Sequence, residues 1–303
     1  MIVLTTSGWT DYELLDSGGG YRLERFGSYT LARPDPQAIW DRQLDKDIWE
    51  HADATFSHDR WNLHTQIPEK WLLTYYHHGI GTGQEIRLKL WAKLTPFKHT
   101  GIFPEQSLQW EWMLAKLQNQ SARQTPNEAK PEIKILNLFG YNGAASLIAA
   151  SAGASVTHVD ASKPSVAWAK ENQAASGLST RPIRWILDDV LKFTNRELKR
   201  GNHYDGIVMD PPVYGHGAKS EIWKFNESFP KLIKICQQLL SKNPLFLIIN
   251  AYAISASSLM LENLLNDVTK DLGGTTEAGE IALAEKGSGR LLSTGIFGRW
   301  STL

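Results

Sequence analysis

The chain has a single cysteine, Cys236, in 303 residues. That count excludes an intramolecular disulfide and a cysteine-rich zinc site, and it suits a reducing, cytoplasmic setting. A charge excess is also missing. The 32 basic residues are matched by 32 acidic ones, so whole-molecule electrostatics give no case for a polyanionic partner, and only a local basic groove stays open. No segment approaches the roughly 18 uninterrupted apolar residues that cross a bilayer. The start, MIVLTTSGWTDYELL, has no basic stretch followed by an apolar one, so neither secretion nor a membrane partner is expected. His77 and His78 have no companions at metal-ligand spacing, read as exposed loop residues, and predict no metal site. There is no internal repeat or low-complexity tract. What is present is 42% hydrophobic content over 303 residues, enough for one large core and a smaller companion. Twelve tryptophans are expected to be mostly core or interface anchors.

From residue 12 to about residue 95 the pattern favours strands. YELL, the SGGG turn at 17–20 and YRLERFGSYTLARP read as a hairpin or meander, followed by WLLTYY at 71–76. In IRLKLWAKL, Ile86, Leu88, Leu90, Ala92 and Leu94 alternate with Arg87, Lys89, Trp91 and Lys93, the period of a half-buried strand. Lys89, Lys93 and Lys98 offer a basic approach to nucleic acid as one reading, with alternate polar positions of an exposed strand the favoured one. After Gly101 the period changes: Trp110, Met113, Leu114 and Leu117 predict an amphipathic helix over about 106–118. SARQTPNEAKP (121–131) reads as a polar linker. Beyond it, IKILNLF, ASVTHVD, RPIRWIL, YDGIVMD and LFLIIN alternate with helical stretches, which implies a parallel sheet covered on both faces. GEIALAE and LLSTGIFGRW around KGSGR predict a closing hairpin. The fold class is therefore α/β, a Rossmann-like seven-stranded, mostly parallel sheet with an antiparallel last strand. A small β-rich domain over residues 1–99 is expected to precede the domain of residues 100–303.

The stretch ILNLFGYNGAAS (135–146) carries the first chemical signal. In doubly wound sheets the ligand lies outside the carboxyl ends of the strands, where the first strand-to-helix turn meets it. Gly140 and Gly143 occupy that turn. Twenty positions after Gly140 the second strand ends in Asp160, followed by Ala161 and Ser162, where a carboxylate accepts hydrogen bonds from ribose hydroxyls. The third strand ends at Asp188 and Asp189, either of which could reach an adenine amino group, while the other caps the next helix. Together these predict a nucleoside site. A dinucleotide site would carry G-x-G-x-x-G. FGYNG has instead a single G-x-x-G with Tyr141 and Asn142 inside it, so a nucleoside without phosphate, such as S-adenosylmethionine, fits better. The fourth strand ends in Asp210, Pro211 and Pro212. Two successive prolines fix the backbone and remove two donors, leaving the carbonyls of Asp210 and Pro211 to face a substrate. Tyr214 stacks on that substrate or covers the pocket.

The ordered set NLFGYNG, HVDAS, DDVLKF and MDPPVYG resembles the class I S-adenosylmethionine-dependent methyltransferases. More narrowly, it is similar to the bacterial large-subunit ribosomal RNA methyltransferases of the cytosine carbon-5 type, with KHTGIFPEQ (98–106) where that family has a basic hairpin and a TG-aromatic turn. The resemblance covers about residues 85–303. It implies that Gly140 and Gly143 line the cofactor turn, that Asp160 holds the ribose, that Asp189 meets the adenine and that Asp210 and the two prolines lie beside the transferred methyl. The cofactor set extends to Asn137, Phe139, Tyr141, Asn142, Ala161, Ser162, Asp188 and Asp210; the catalytic set is Asp210, Pro211, Pro212 and Tyr214. Two departures stand out. Where the carbon-5 enzymes carry a nucleophilic cysteine after the fifth strand, this chain has Asn250, Ala251 and Tyr252, and Cys236 falls mid-helix on an apolar face. The first 80 or so residues do not read as the PUA module of that family. The expectation is methyl transfer to a nitrogen or oxygen of an RNA, ribosomal RNA foremost. A protein or small-molecule acceptor, a nicotinamide-dependent oxidoreductase and a non-catalytic RNA-binding module are the alternatives.

Overall fold

The computed structural model describes residues 2–6, 9–77, 85–122, 132–217, 221–252 and 256–303; His78, the glycine-rich connection after it and nearly all of the expected 121–131 linker fall outside them. The chain forms two compact units, one of residues 1–3, 109–280 and 295–303, the other of residues 4–108 and 281–294. This differs from a single break between residues 99 and 100, because the closing hairpin returns its turn to the unit built by residues 4–108.

The chain opens with β1 (Ile2–Thr5), a strand of the large sheet. In the unit of residues 4–108, β2 (Tyr12–Gly18), β3 (Tyr21–Phe26) and β4 (Tyr29–Pro34) form the expected meander, with the register shifting between Leu14 and Asp16. A short helix, α1 (Lys46–Glu50), leads to β5 (Ala54–Ser57) and β6 (Arg60–Leu63), and the five strands pair in chain order. β7 (Trp71–His77) and β8 (Ile86–Ala92) make a separate antiparallel ribbon. Leu73, Tyr75, Leu88 and Leu90 are fully buried on one side of it, as the period-two alternation requires.

The other unit holds the parallel sheet. α2 (Ser107–Ala122) precedes β9 (Lys134–Leu138), α3 (Ala144–Ser151), β10 (Ser155–Asp160), α4 (Lys163–Ala175), β11 (Ile183–Leu187), α5 (Val190–Lys199) and β12 (Gly206–Met209). A small hairpin of β13 (Tyr214–His216) and β14 (Ile222–Lys224) follows. After it come α6 (Phe225–Leu239), β15 (Phe246–Tyr252), α7 (Ser258–Thr269), β16 (Thr275–Ala284) and β17 (Leu291–Ser301). The sheet order is β1-β16-β17-β15-β12-β9-β10-β11, with β9 to β12, β15, β10 and β11 parallel and β17 antiparallel to β15. It has eight strands rather than seven, because IVLT at the start adds an edge strand beside β16. β12 and nearly all of β15 are buried along their whole length, as strands covered on both faces must be. Leu136, Ile207, Met209, Leu247 and Ile249 meet Phe229, Leu232 and Ile233 of α6 in the main core.

Candidate functional site

β9 is flanked by β10 on one side and β12 on the other, with Leu138 in register with both Val159 and Met209. β9 leads to β10 on one side and β12 to β15 on the other, the switch point at which doubly wound sheets place a ligand crevice, outside the carboxyl ends of the strands. Backbone bonds continue past the strand ends and fix the three loops to one another: Gly140 N–H donates to the Val159 carbonyl (3.1 Å), Asp188 N–H to that of Asp160 (3.1 Å) and Asp210 N–H to that of Leu138 (3.4 Å).

The turn after β9 is held in an uncommon conformation. Phe139 (φ 55°), Tyr141 (φ 49°) and Gly143 (φ 85°) all lie in the left-handed region, and strain of this kind at non-glycine residues concentrates in ligand-binding loops. The two glycines answer first to the protein itself. A Cβ on Gly140 would collide with the His158 ring, and one on Gly143 would stand 2.8 Å from the Ala169 Cβ. His158 is fully buried; its Nδ1 lies 3.0 Å from Ser146 Oγ, which accepts the Asn137 Nδ2–H at 2.9 Å. Burial lowers the imidazole pKa to about 3, so the ring is neutral. Asn137, expected at the cofactor, is thus buried with its Nδ2 committed to Ser146 of α3. Asn142 is likewise buried: its Oδ1 accepts the Ala144 N–H (3.3 Å) and its carbonyl accepts from Asn172 Nδ2 (2.9 Å). Lying just ahead of the Gly143 N-cap of α3, it takes a first-turn N–H that a pyrophosphate at this helix end would need.

Asp160 ends β10 half-buried. Its Oδ2 accepts the Tyr141 N–H and its Oδ1 the Ser162 N–H, both at 2.8 Å, which clamps the turn to the neighbouring strand. Burial raises the carboxyl pKa, and the two backbone bonds pull the other way. Ser162 caps α4 by accepting from Ser165 N–H (3.3 Å). Of the acidic pair, Asp188 is ion-paired with Arg196 and accepts the Asp189 N–H. Asp189 caps α5 through Oδ1 (Lys192 N–H, 2.9 Å), while its Oδ2 lies 3.1 Å from where a Cβ on Gly217 would stand.

Asp210 is half-buried, Pro211 buried and Pro212 exposed. The Pro212 carbonyl accepts the Trp223 indole N–H at 2.6 Å, and the same indole meets the Phe139 ring edge-on, with centroids 4.8 Å apart. Trp223 therefore joins the proline turn to the glycine turn. The sequence reading missed it, although IWK before a helical stretch was a short strand signal. Tyr214 is 55% exposed, with its hydroxyl 3.3 Å from His216 Nε2. Cys236 is fully buried in the α6 core, where burial drives its thiol pKa up. Among the described residues no three His, Cys, Asp or Glu side chains converge as a metal site requires, and no helix is long and apolar enough to cross a membrane.

The crevice thus offers a carboxylate at one strand end, a strained aromatic turn beside it and a second carboxylate with two prolines across from it. No basic residue occurs in FGYNGAAS. That donor set fits an uncharged ribose and a base better than a phosphate chain.

The profile of the family described as Conserved hypothetical protein 95 matches residues 120–243. A solved S-adenosylmethionine-dependent methyltransferase from Agrobacterium tumefaciens is 39% identical, covers 100% of this chain with 94% of its own length, and superposes with a TM-score of 0.90. SMU.776, a proposed methyltransferase solved with S-adenosylhomocysteine, is 19% identical over 97% of this chain and 76% of its own, with a TM-score of 0.67, and shows the shared fold. Ribosomal RNA large subunit methyltransferase K of Neisseria meningitidis serogroup B is 28% identical over 258 residues, 82% of this chain and 67% of that protein. The K/L enzyme of Shewanella sp. strain MR-4 is 33% identical over 139 residues, which are 45% of this chain and only 18% of that much longer protein.

Proposed function

The chain belongs to the S-adenosylmethionine-dependent methyltransferases, and on that premise we propose that it methylates RNA, large-subunit ribosomal RNA foremost, at a nitrogen or oxygen. The RNA class follows the names of the Neisseria and Shewanella relatives. One observation carries the choice of acceptor atom. The sole thiol is sealed in the α6 core with its pKa raised, so the carbon-6 attack that makes cytosine carbon-5 nucleophilic has no side chain to perform it.

When bound, S-adenosylmethionine supplies an electrophilic sulfonium methyl. Asp160 would accept bonds from the ribose hydroxyls, the left-handed Phe139–Tyr141 backbone would border the nucleoside, and Asp189 would accept from the adenine amino group. Asp210 and the carbonyls of Asp210 and Pro211 accept an N–H or O–H of the acceptor and aim its lone pair at the methyl. A displacement of this kind depends on in-line placement more than on acid or base chemistry, so the rigidity of the proline turn supplies most of the rate. Tyr214 covers or stacks on the acceptor.

The test incubates the protein with methyl-labelled cofactor and separate pools of large-subunit ribosomal RNA, transfer RNA, protein and small molecules. Label is expected in the ribosomal RNA, and digestion to nucleosides is expected to place it on a nitrogen or oxygen. Label on cytosine carbon-5, or in the protein pool alone, would overturn the reading.

A further inference from the structure

Between exposed Glu85 and buried Glu105 the chain carries Arg87, Lys89, Lys93, Lys98 and His99 with no carboxylate among them. In a molecule with no net charge this is a local concentration of positive charge. In its middle stands Phe97, 74% exposed, although a phenyl ring left in water contributes nothing to folding.

The turn that presents Phe97 is tightly built. Thr95 donates to the His99 carbonyl from both its N–H (3.0 Å) and its Oγ1 (2.7 Å). Phe97 N–H donates to Thr95 Oγ1 (3.3 Å), Gly101 N–H to His99 Nδ1 (3.2 Å), and Lys93 N–H to the Thr100 carbonyl (3.0 Å). Arg33 of β4 holds the Lys98 carbonyl at 3.2 Å, and Lys98 itself sits at φ 59°. The His99 ring stacks on Phe97, with centroids 6.2 Å apart and planes 26° apart, and Phe103 backs His99 at 5.5 Å. Burial first, and Arg33 next, lower the His99 pKa to about 4, so the ring behind Phe97 is neutral and its Nδ1 is an acceptor.

We propose that Phe97 is a preorganised stacking platform for an unpaired base of single-stranded RNA, with the flanking lysines meeting the phosphates on either side. The proposal rests on the RNA reading above. Every base has a π face, so an aromatic among cations is the general device for single-stranded RNA. A ring already fixed in place costs little further ordering when a base stacks on it. An aliphatic-seeking protein partner would be indifferent to the planarity of the side chain, and that difference is measurable.

The experiment uses the full chain and three variants, Phe97→Ala, Phe97→Leu and Phe97→Trp. It measures methyl transfer to deproteinised large-subunit ribosomal RNA, anisotropy with a labelled single-stranded RNA of about 12 nucleotides, S-adenosylmethionine affinity and melting temperature. The alanine and leucine variants are expected to raise both the KM for RNA and the oligonucleotide Kd about tenfold, and the tryptophan variant to stay within about twofold. Cofactor affinity and melting temperature should not move, since Phe97 is exposed. Undiminished RNA binding and methylation by Phe97→Ala or Phe97→Leu, in a protein whose wild type labels RNA, overturns the platform and leaves the RNA reading standing. If the wild type labels only protein or small molecules, the RNA reading fails first and the platform falls with it.

Discussion

Asp160 already accepts two backbone N–H groups, from Tyr141 and Ser162, so it shapes the turn in addition to the ribose contact proposed for it. Hydrogen bonds to a charged group contribute about 1.5–3 kcal/mol. Asp160→Ala is therefore expected to weaken S-adenosylmethionine binding roughly 10- to 100-fold by calorimetry. Ribose recognition needs the ionised carboxylate, and burial raises its pKa. Wild-type affinity should accordingly begin to fall, as the pH drops, at a higher pH than an ordinary aspartate would give, and the alanine variant should lose that dependence. Asp210→Ala should leave cofactor affinity largely intact, within a few-fold, and lower kcat roughly 100-fold; full activity would remove Asp210 from the reaction. Trp223 acts through another group. Trp223→Phe keeps the ring against Phe139 and removes only the N–H to the Pro212 carbonyl, so kcat should drop about tenfold, the worth of one well-placed hydrogen bond. The cofactor Kd should stay within about twofold, whereas a purely structural defect would move both.

At the scale of elements, the glycine turn is a packing solution before it is a binding one. Gly140→Ala pushes a methyl into the His158 ring, an overpacking that costs about 1–3 kcal/mol. The single variant is expected to melt lower and bind cofactor more weakly, and adding His158→Ala should recover part of the loss; strictly additive effects would mean that the two residues do not meet. This pair also shows what the sequence could and could not disclose. The parallel strands, their order along the chain and the acids at their ends were legible, because continuous apolar runs and strand-terminal carboxylates are local signals. The commitment of Asn137 to Ser146 was not, because a polar residue in a buried strand gives no sign of which face it takes until Ser146 and His158 are placed beside it. β1 was missed because a run as short as IVLT becomes a strand only where an open sheet edge receives it. The β13–β14 hairpin, and with it Trp223, was hidden by strands three residues long.

The molecule as a whole has two compact units, and among the described residues each holds a histidine kept neutral by burial, His158 fully buried with a pKa of about 3 and His99 partly buried with one of about 4. Both values lie below the roughly 6.5 of an unfolded histidine. The unfolded chain therefore binds the extra proton first, and stability is complete above about pH 6.5 and declines below it by about 1.4 kcal/mol per pH unit for each histidine. Denaturant midpoints measured at falling pH should show this slope, and His158→Asn should reduce it by one proton. The interleaving of the units supports a second prediction about folding. Residues 281–294 belong with residues 4–108: Lys286 N–H donates to the Leu14 carbonyl (2.8 Å), buried Glu285 accepts from Ser17 Oγ (2.5 Å), and Arg290 lies over the Trp40 ring and donates to the Asp41 carbonyl (3.2 Å). A fragment of residues 1–108 alone leaves the polar groups of Ser17 and Leu14 without these partners and Ile281, Ala282 and Leu283 missing from its core. It should give weak near-ultraviolet circular dichroism and a broad thermal transition. The same fragment with 281–294 fused through a flexible linker should regain a sharp one. A cooperative transition in the shorter fragment would mean that the closing hairpin decorates this unit rather than completes it, because only segments that share a core melt together.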